Sequence, residues 1–357
     1  MKTLLISSTC DYCGKTLVCM GLGKRFQLDG FKITYMKALG RYTTKVSNNV
    51  TVDADAAFLY KILELKDEIT LSSPVLLTQD LIVHAYIGKI EKNLERKIID
   101  AHAKLADGKD IVMVGSGGDF NEGSLFDIPA TKLVHSLDAQ MIIIDRCAEE
   151  LFVDDLLAIK EILKERVIGV ILNQIHNDRL DYVHKYIVPF LNKKGLDVLG
   201  ILPFDPILNS VTVGEICDKL NAYVLCCEDK LGELVESFSI GAMTVESALK
   251  YLRKRPNYAV ITGGDRPEIQ LAALETNAKC VILTGNLYPN DIIIARAEER
   301  GVPLLVVSED TITTVQKVEE LLGRLKIREE RKVARGIDLI REQIDFQLLY
   351  EKLGISK

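Results

Sequence analysis

The stretch Ile6-Ser7-Ser8-Thr9-Cys10-Asp11-Tyr12-Cys13-Gly14-Lys15-Thr16 constrains the chain most. Leu4-Leu5-Ile6 reads as a short buried strand, and Leu17 to about Phe26 as an apolar helix. A strand, a loop closing on Gly-Lys-Thr and a helix, in that order, form a phosphate loop. Loop and first-turn N–H groups converge on one spot, where the helix dipole adds positive potential. Thr9, Cys13, Gly14, Lys15, Thr16 and Leu17 are therefore the candidate nucleotide-binding residues. Gly14 lets the backbone approach a phosphate, Lys15 reaches the β- and γ-phosphates, and the Thr16 hydroxyl ligates Mg²⁺. Thr9 stands where this pattern usually has its first glycine, which requires that residue 9 avoid positive φ. Cys10-x-x-Cys13 inside the loop reads as small loop filler, or as a redox pair or half of a zinc site; no second CxxC or CxxH completes a zinc set.

With 357 residues, two domains are expected, and a hydrophobic content of 48% supplies their cores. The net charge of −6, with no basic stripe interleaved with aromatics, argues against nucleic acid as a partner. No apolar run reaches the roughly 18 residues of a membrane span. The N-terminus enters a strand at once, without a signal-peptide pattern. Eight scattered cysteines, including Cys147, Cys226, Cys227 and Cys280 in apolar runs, fit a reducing cytoplasm rather than a disulfide framework.

Strand-like and helical runs alternate along most of the chain, which predicts a mostly parallel sheet with helices on both faces. In such a sheet ligands bind beyond the carboxyl ends of the strands. That edge receives Lys37 and Arg41 after the strand 32–36, and Asp53 and Asp55 before an apolar helix. One of these aspartates caps the helix, or one holds Mg²⁺. Residues 86–107 read as one long amphipathic helix. Asp110–Val114 is a strand ending in Gly115-Ser116-Gly117-Gly118, and 167–172 a strand ending in Asn173-Gln174. Asn173 either reads a base edge or serves as a turn residue. Pro203-Phe204-Asp205-Pro206 stops the first sheet.

The pattern then restarts as a second, smaller α/β domain, with strands at 222–227, 239–243, 258–262, 280–284 and 304–308. Helices follow at 245–252, 267–275, 289–299 and 311–322. Gly263, Gly264, Asp265 and Arg266 fall at a strand end, as a pocket for a small anionic ligand or as a tight turn with a surface ion pair. The expected division is 1–214, 215–325, and a charged helical tail at 326–357 packed on a partner.

With these stretches in view, the first half resembles dethiobiotin synthetase and the cobyrinate amide-synthase group. The matching segments are Ser8–Thr16, Tyr35-Met36-Lys37, Asp53–Ala57, Gly115–Gly118, Gly169–Asn173 and Gly200–Pro203. The second half resembles the DRTGG domain through Ile240–Leu249 and Ile261–Arg266. Together they look like the N-terminal regulatory half of long bacterial phosphotransacetylases. The resemblance implies ATP and Mg²⁺ as cofactors, with Thr16 and Asp55 on the metal. It implies Lys37 facing the transferred phosphate or a substrate carboxylate, Asn173 on adenine, and Pro203 bordering the base. It also implies a homodimer. Ser8 replaces a leading glycine, and Val114 replaces the synthetase's Mg²⁺-binding glutamate; Glu122 in the next loop is a possible substitute. A chain ending at 357 has no room for a transferase domain, so acetyl transfer is not expected. The first reading is thus a nucleotide-responsive regulator with weak or no ATPase, its second domain taking an anion or a protein partner. The second is an ATP-dependent carboxylate-activating ligase, and the third a redox scaffold on Cys10 and Cys13.

Overall fold

A computed structural model describes the chain except residues 47–48, 90–92, 242–255, 323–328 and 357. The expected helix 245–252 and most of the Ile240–Leu249 stretch lie outside the described residues. The chain forms two compact units, one of Met1–Phe204 with Ile327–Lys357, the other of Asp205–Lys326.

In the first unit the strands are β1 (Lys2–Ser8), β2 (Ile33–Lys37), β3 (Ile111–Gly115), β4 (Gln140–Asp145), β5 (Val167–Ile175) and β6 (Val198–Pro203). They form one sheet in the order β6-β5-β4-β1-β3-β2, with all neighbours parallel. β1 lies near the centre, and its residues Leu4, Leu5 and Ile6 are fully buried. Strands covered on both faces read as continuous apolar runs, as these do.

Helix α1 (Lys15–Leu28) follows β1, and Leu17, Val18, Cys19, Met20, Leu22 and Phe26 on it are all buried. Burying each large apolar side chain contributes roughly 1.5–3 kcal/mol. A helix with buried residues on several faces must be covered on each of them. A Cβ on Gly23 would lie 2.8 Å from Leu63 and 2.9 Å from Met113 of β3; one on Gly21 would lie 2.4 Å from Ile340. Ile340 belongs to the helix Glu330–Gln343 near the C-terminus. The expected tail is therefore part of the first unit. Ile344 bridges Gly200 on β6, and the Asp345 N–H donates to the Leu199 carbonyl at 2.8 Å, blunting that edge strand. Tyr350 adds an aromatic cluster, its ring centroid 6.0 Å from Phe26 and 5.9 Å from Phe31.

The stretch expected as one helix over 86–107 is divided. A helix ends at Tyr86, Gly88 takes a left-handed conformation, and a new helix runs Leu94–Ala106. Asn173, expected just past a strand, lies inside β5.

The second unit holds β7 (Tyr223–Cys226), β8 (Ser237–Ile240), β9 (Tyr258–Gly263), β10 (Ala278–Thr284) and β11 (Leu304–Val306). Their order is β7-β11-β10-β9-β8, parallel except for β7. Helices Val213–Leu220, Pro267–Leu274, Asp291–Arg300 and Thr311–Leu322 accompany it. Among the described residues no helix is long and apolar enough to cross a membrane.

The closeness of Ile340 to Gly21 yields a test. Gly21→Val overpacks that contact and lowers unfolding stability by about 1–3 kcal/mol, read as the urea midpoint. An unchanged midpoint shows that the C-terminal helix does not sit on α1.

Candidate nucleotide-binding site

The site is built where β1 hands over to α1. Gly14 caps α1 at φ 103° and ψ 18°, a conformation open to glycine and strained for other residues. No side chain caps this helix, and no acceptor among the described residues takes the N–H groups of Gly14, Lys15, Thr16 or Leu17. Four convergent donors at a helix start suit an anion. Thr9 is absent from the positive-φ residues, so threonine fits where the pattern usually has glycine. Its hydroxyl donates to the Asp145 carboxylate at the end of β4.

Lys15 is buried at 8% exposure. Its ammonium donates to Ser8 Oγ at 2.7 Å and to the Gly118 carbonyl. Ser8 thus takes part in the site through its hydroxyl, which also donates to the Cys10 carbonyl at 2.8 Å. Burial and neighbouring Lys37 push the Lys15 pKa down to about 8, against the pull of Asp11, Glu122 and Asp55. Lys37 ends β2, also buried, 3.5 Å from Asp55. Burial opposes its charge, but Asp55 and Asp53 outweigh that and hold its pKa above the ordinary lysine value.

Of the two aspartates, Asp53 takes the capping role. Asp53 is 1% exposed and caps the helix α2 (Ala54–Ile62), accepting from Asp55 N at 2.8 Å and Ala56 N at 3.2 Å. Its other oxygen accepts from Arg41 N at 3.0 Å. Asp55 faces Lys37 instead and remains open to a cation. Arg41 pairs with Asp11 at 2.9 Å and Glu122 at 3.7 Å.

Asn173 is held by the phosphate loop itself. It is 2% exposed; its Nδ2 donates to the Cys13 carbonyl at 2.8 Å and its Oδ1 accepts from Gln174 N at 2.9 Å. A Cβ on Gly14 would come within 2.2 Å of that Nδ2, so Asn173 clamps the loop. Pro203 ends β6, and the next residue, Phe204, stacks on His176 with centroids 4.7 Å apart. Sequence reading missed a neighbouring cavity of about 260 Å³ lined by Arg146, Gln174, His176 and Arg179. Arg146 lies far along the chain from Gln174, His176 and Arg179, and no spacing links the two stretches. Cys10 and Cys13, read as loop filler, a redox pair or half of a zinc site, are joined as a disulfide across the loop.

Val114 is fully buried in β3 and offers no ligand. Among the described residues no three His, Cys, Asp or Glu side chains converge as a ready metal site. The donors do fit a metal–nucleotide pair. The helix start is uncapped, Asp55 is accessible, and Glu122 Oε2 is buried without a hydrogen-bond partner.

In the second unit, Gly263 ends β9 and Arg266 precedes the helix Pro267–Leu274. The Arg266 guanidinium donates to the Gly241 carbonyl and lies 3.5 Å from Glu268. Gln270, fully buried, donates to the carbonyls of Gly263 and Gly264 at 3.0 and 3.1 Å. A Cβ on Gly264 would meet the Leu287 carbonyl at 2.1 Å. These residues form a tight packed turn.

The lowered pKa of Lys15 has a signed consequence. Only its ammonium attracts phosphate, so nucleotide affinity falls as pH rises through about 8. At pH 9 the affinity is expected to be lower by about tenfold than at pH 7.5, measured by titration calorimetry. A flat profile contradicts a functional Lys15.

A family model described as an AAA domain matches residues 2–212, and one described as a DRTGG domain matches 215–321. Among curated proteins, the phosphate acetyltransferase of Synechocystis sp. is 25% identical, covering 99% of this chain and 52% of its own length. That of Nitrosomonas europaea is 21% identical, with coverages of 99% and 52%. The chain spans about half the length of the curated relatives it matches. Among solved structures, the MinD cell division protein of Aquifex aeolicus is 15% identical, covering 58% of this chain and 84% of that one, with a TM-score of 0.35. With the first model matching well over half of its length, the chain belongs to the AAA domain family and carries a DRTGG domain behind its P-loop unit.

Proposed function

We propose that the first unit binds ATP with Mg²⁺ and that the chain is a nucleotide-responsive regulator with weak or no ATPase. The observation that carries this reading is the uncapped start of α1, with left-handed Gly14 and buried Lys15 beside four free N–H donors. Lys15 and those N–H groups hold the phosphates. Thr16 and Asp55 hold the metal, which neutralises phosphate charge when bound. The base packs toward Pro203 and the Phe204–His176 stack. Weak hydrolysis follows from Val114, which leaves the strand end without a carboxylate on the γ-phosphate side. The second unit takes a small anionic ligand or a protein partner at Gly263–Arg266. Arg266 would then exchange the Gly241 carbonyl for the incoming anion.

Titration calorimetry with ATP and Mg²⁺ tests the reading. The native chain binds, and Lys15→Ala loses about 3 kcal/mol or more, a hundredfold in affinity. Equal binding by both proteins removes the proposal.

A second reading, an ATP-dependent carboxylate-activating ligase, draws on one observation. Lys37 is a buried ammonium held charged at the ligand edge, 3.5 Å from Asp55, where it can orient a substrate carboxylate. Phosphate release stimulated by one member of a panel of carboxylic acids, and abolished in Lys37→Ala, is its expected signature. No stimulation by any acid excludes it.

A further inference from the structure

Among the described residues, two buried side-chain oxygens in the loop after β3 have no hydrogen-bond partner, Ser116 Oγ and Glu122 Oε2, and the second belongs to a carboxylate. Glu122 Oε2 is buried and unpartnered, while Oε1 of the same carboxylate lies 3.7 Å from Arg41 Nε. The side chain is 20% exposed. A buried carboxylate oxygen without a donor or a cation is unfavourable, because its desolvation goes uncompensated. The loop nevertheless holds it in place. Asp119 Oδ1 accepts the N–H groups of Asn121 at 2.8 Å and Glu122 at 2.9 Å, fixing the turn that carries Glu122.

The surroundings place that oxygen at the phosphate loop. A Cβ on Gly117 would lie 2.4 Å from Glu122 Oε2, and one on Gly118 would lie 2.7 Å from it. Two glycines in succession are what allow the carboxylate to rest on this turn. The Gly118 carbonyl in turn accepts the Lys15 ammonium. Glu122 therefore sits about one peptide unit from the lysine that receives phosphate, and the fields of Lys15 and Lys37 reach it.

Charge balance shows what the oxygen awaits. The site carries three cations, Lys15, Lys37 and Arg41, and four carboxylates, Asp11, Asp53, Asp55 and Glu122. A triphosphate adds about four negative charges to this set, and without a further cation the carboxylates repel it. Mg²⁺ takes one or two protein carboxylates together with phosphate oxygens, so no complete cage is needed beforehand.

We propose that Glu122 is the second carboxylate of a divalent-cation site, acting with Asp55 and Thr16 and completed by the phosphates of the nucleotide. It binds the cation from the loop after β3, and the strand end at fully buried Val114 stays without a carboxylate. The proposal rests on the nucleotide reading above. Its competitor is a purely structural Glu122 that anchors Arg41.

Titration of the full chain with a non-hydrolysable ATP analogue, in Mg²⁺ and in EDTA, separates the two. In the native chain Mg²⁺ strengthens binding. Glu122→Gln, which keeps the shape and removes the charge, is expected to reduce that Mg²⁺-dependent gain by at least about tenfold while leaving affinity in EDTA nearly unchanged. Manganese resonance of the ternary complex is expected to show weaker Mn²⁺ binding in Glu122→Gln and partial recovery in Glu122→Asp. Arg41→Ala is expected to keep the Mg²⁺ dependence. Full retention of that dependence in Glu122→Gln overturns the proposal. So does an Arg41→Ala variant that reproduces the loss, or a Glu122→Gln variant that loses affinity equally in EDTA. A native chain that binds no nucleotide under either condition removes the underlying reading and this proposal together, and it is recognised before any variant is compared. Matching thermal midpoints exclude misfolding as the cause.

Discussion

The first unit depends on keeping the start of α1 open. A helix N-terminus normally satisfies its free N–H groups with a capping side chain. Here Gly14 turns the chain into α1 without one. The Asn173 amide grips the Cys13 carbonyl and lies against Gly14, so no larger residue fits there. Four donors are thereby held toward one point. The depressed pKa of Lys15 belongs to the same arrangement, since its ammonium is desolvated and faces a second lysine. Such groups are unfavourable alone and become favourable around an anion.

Holding that point fixed requires a rigid α1, and the rigidity comes from burial. The sheet, α2 and the C-terminal helix each cover a face, with Gly21 and Gly23 allowing two of the close approaches. The last residues of the chain therefore stabilise the first helix. Tyr350 and Phe26 join them through aromatic contact. A charged amphipathic segment read in isolation shows a stripe but not the surface it meets; Ile340 on Gly21 decides that.

Around the phosphate loop the ionised groups carry both signs rather than forming a single-signed patch. Lys37 is paired with Asp55, Arg41 with Asp11 and Glu122, and Lys15 with a carbonyl and a hydroxyl. A ligand must exchange these partners for its own, so its charge and its counter-ion both matter. In the second unit Arg266 is likewise engaged, on the Gly241 carbonyl, and Gln270 braces the same turn.

Much of this was legible in the residues. Leu4-Leu5-Ile6, the Gly14-Lys15-Thr16 turn and the apolar run behind it specify strand, phosphate loop and buried helix, because spacing and φ requirements are local. The alternation of later segments likewise specifies two α/β units. Roles that depend on what a side chain meets across the fold were not legible. Asp53 and Asp55 are indistinguishable in sequence until α2 uses one as its cap. Asn173 has the chemistry of a base reader, and only the fold shows that its amide holds Cys13, 160 positions away. Glu122 could be named from the sequence as a substitute carboxylate, but only the Gly117-Gly118 turn shows that it comes to rest beside Lys15. Sequence determined the elements and the loop chemistry, through forces acting within a few residues. Only the tertiary structure decided which polar groups are already satisfied and which are left open, because burial and partnership are set between segments distant along the chain.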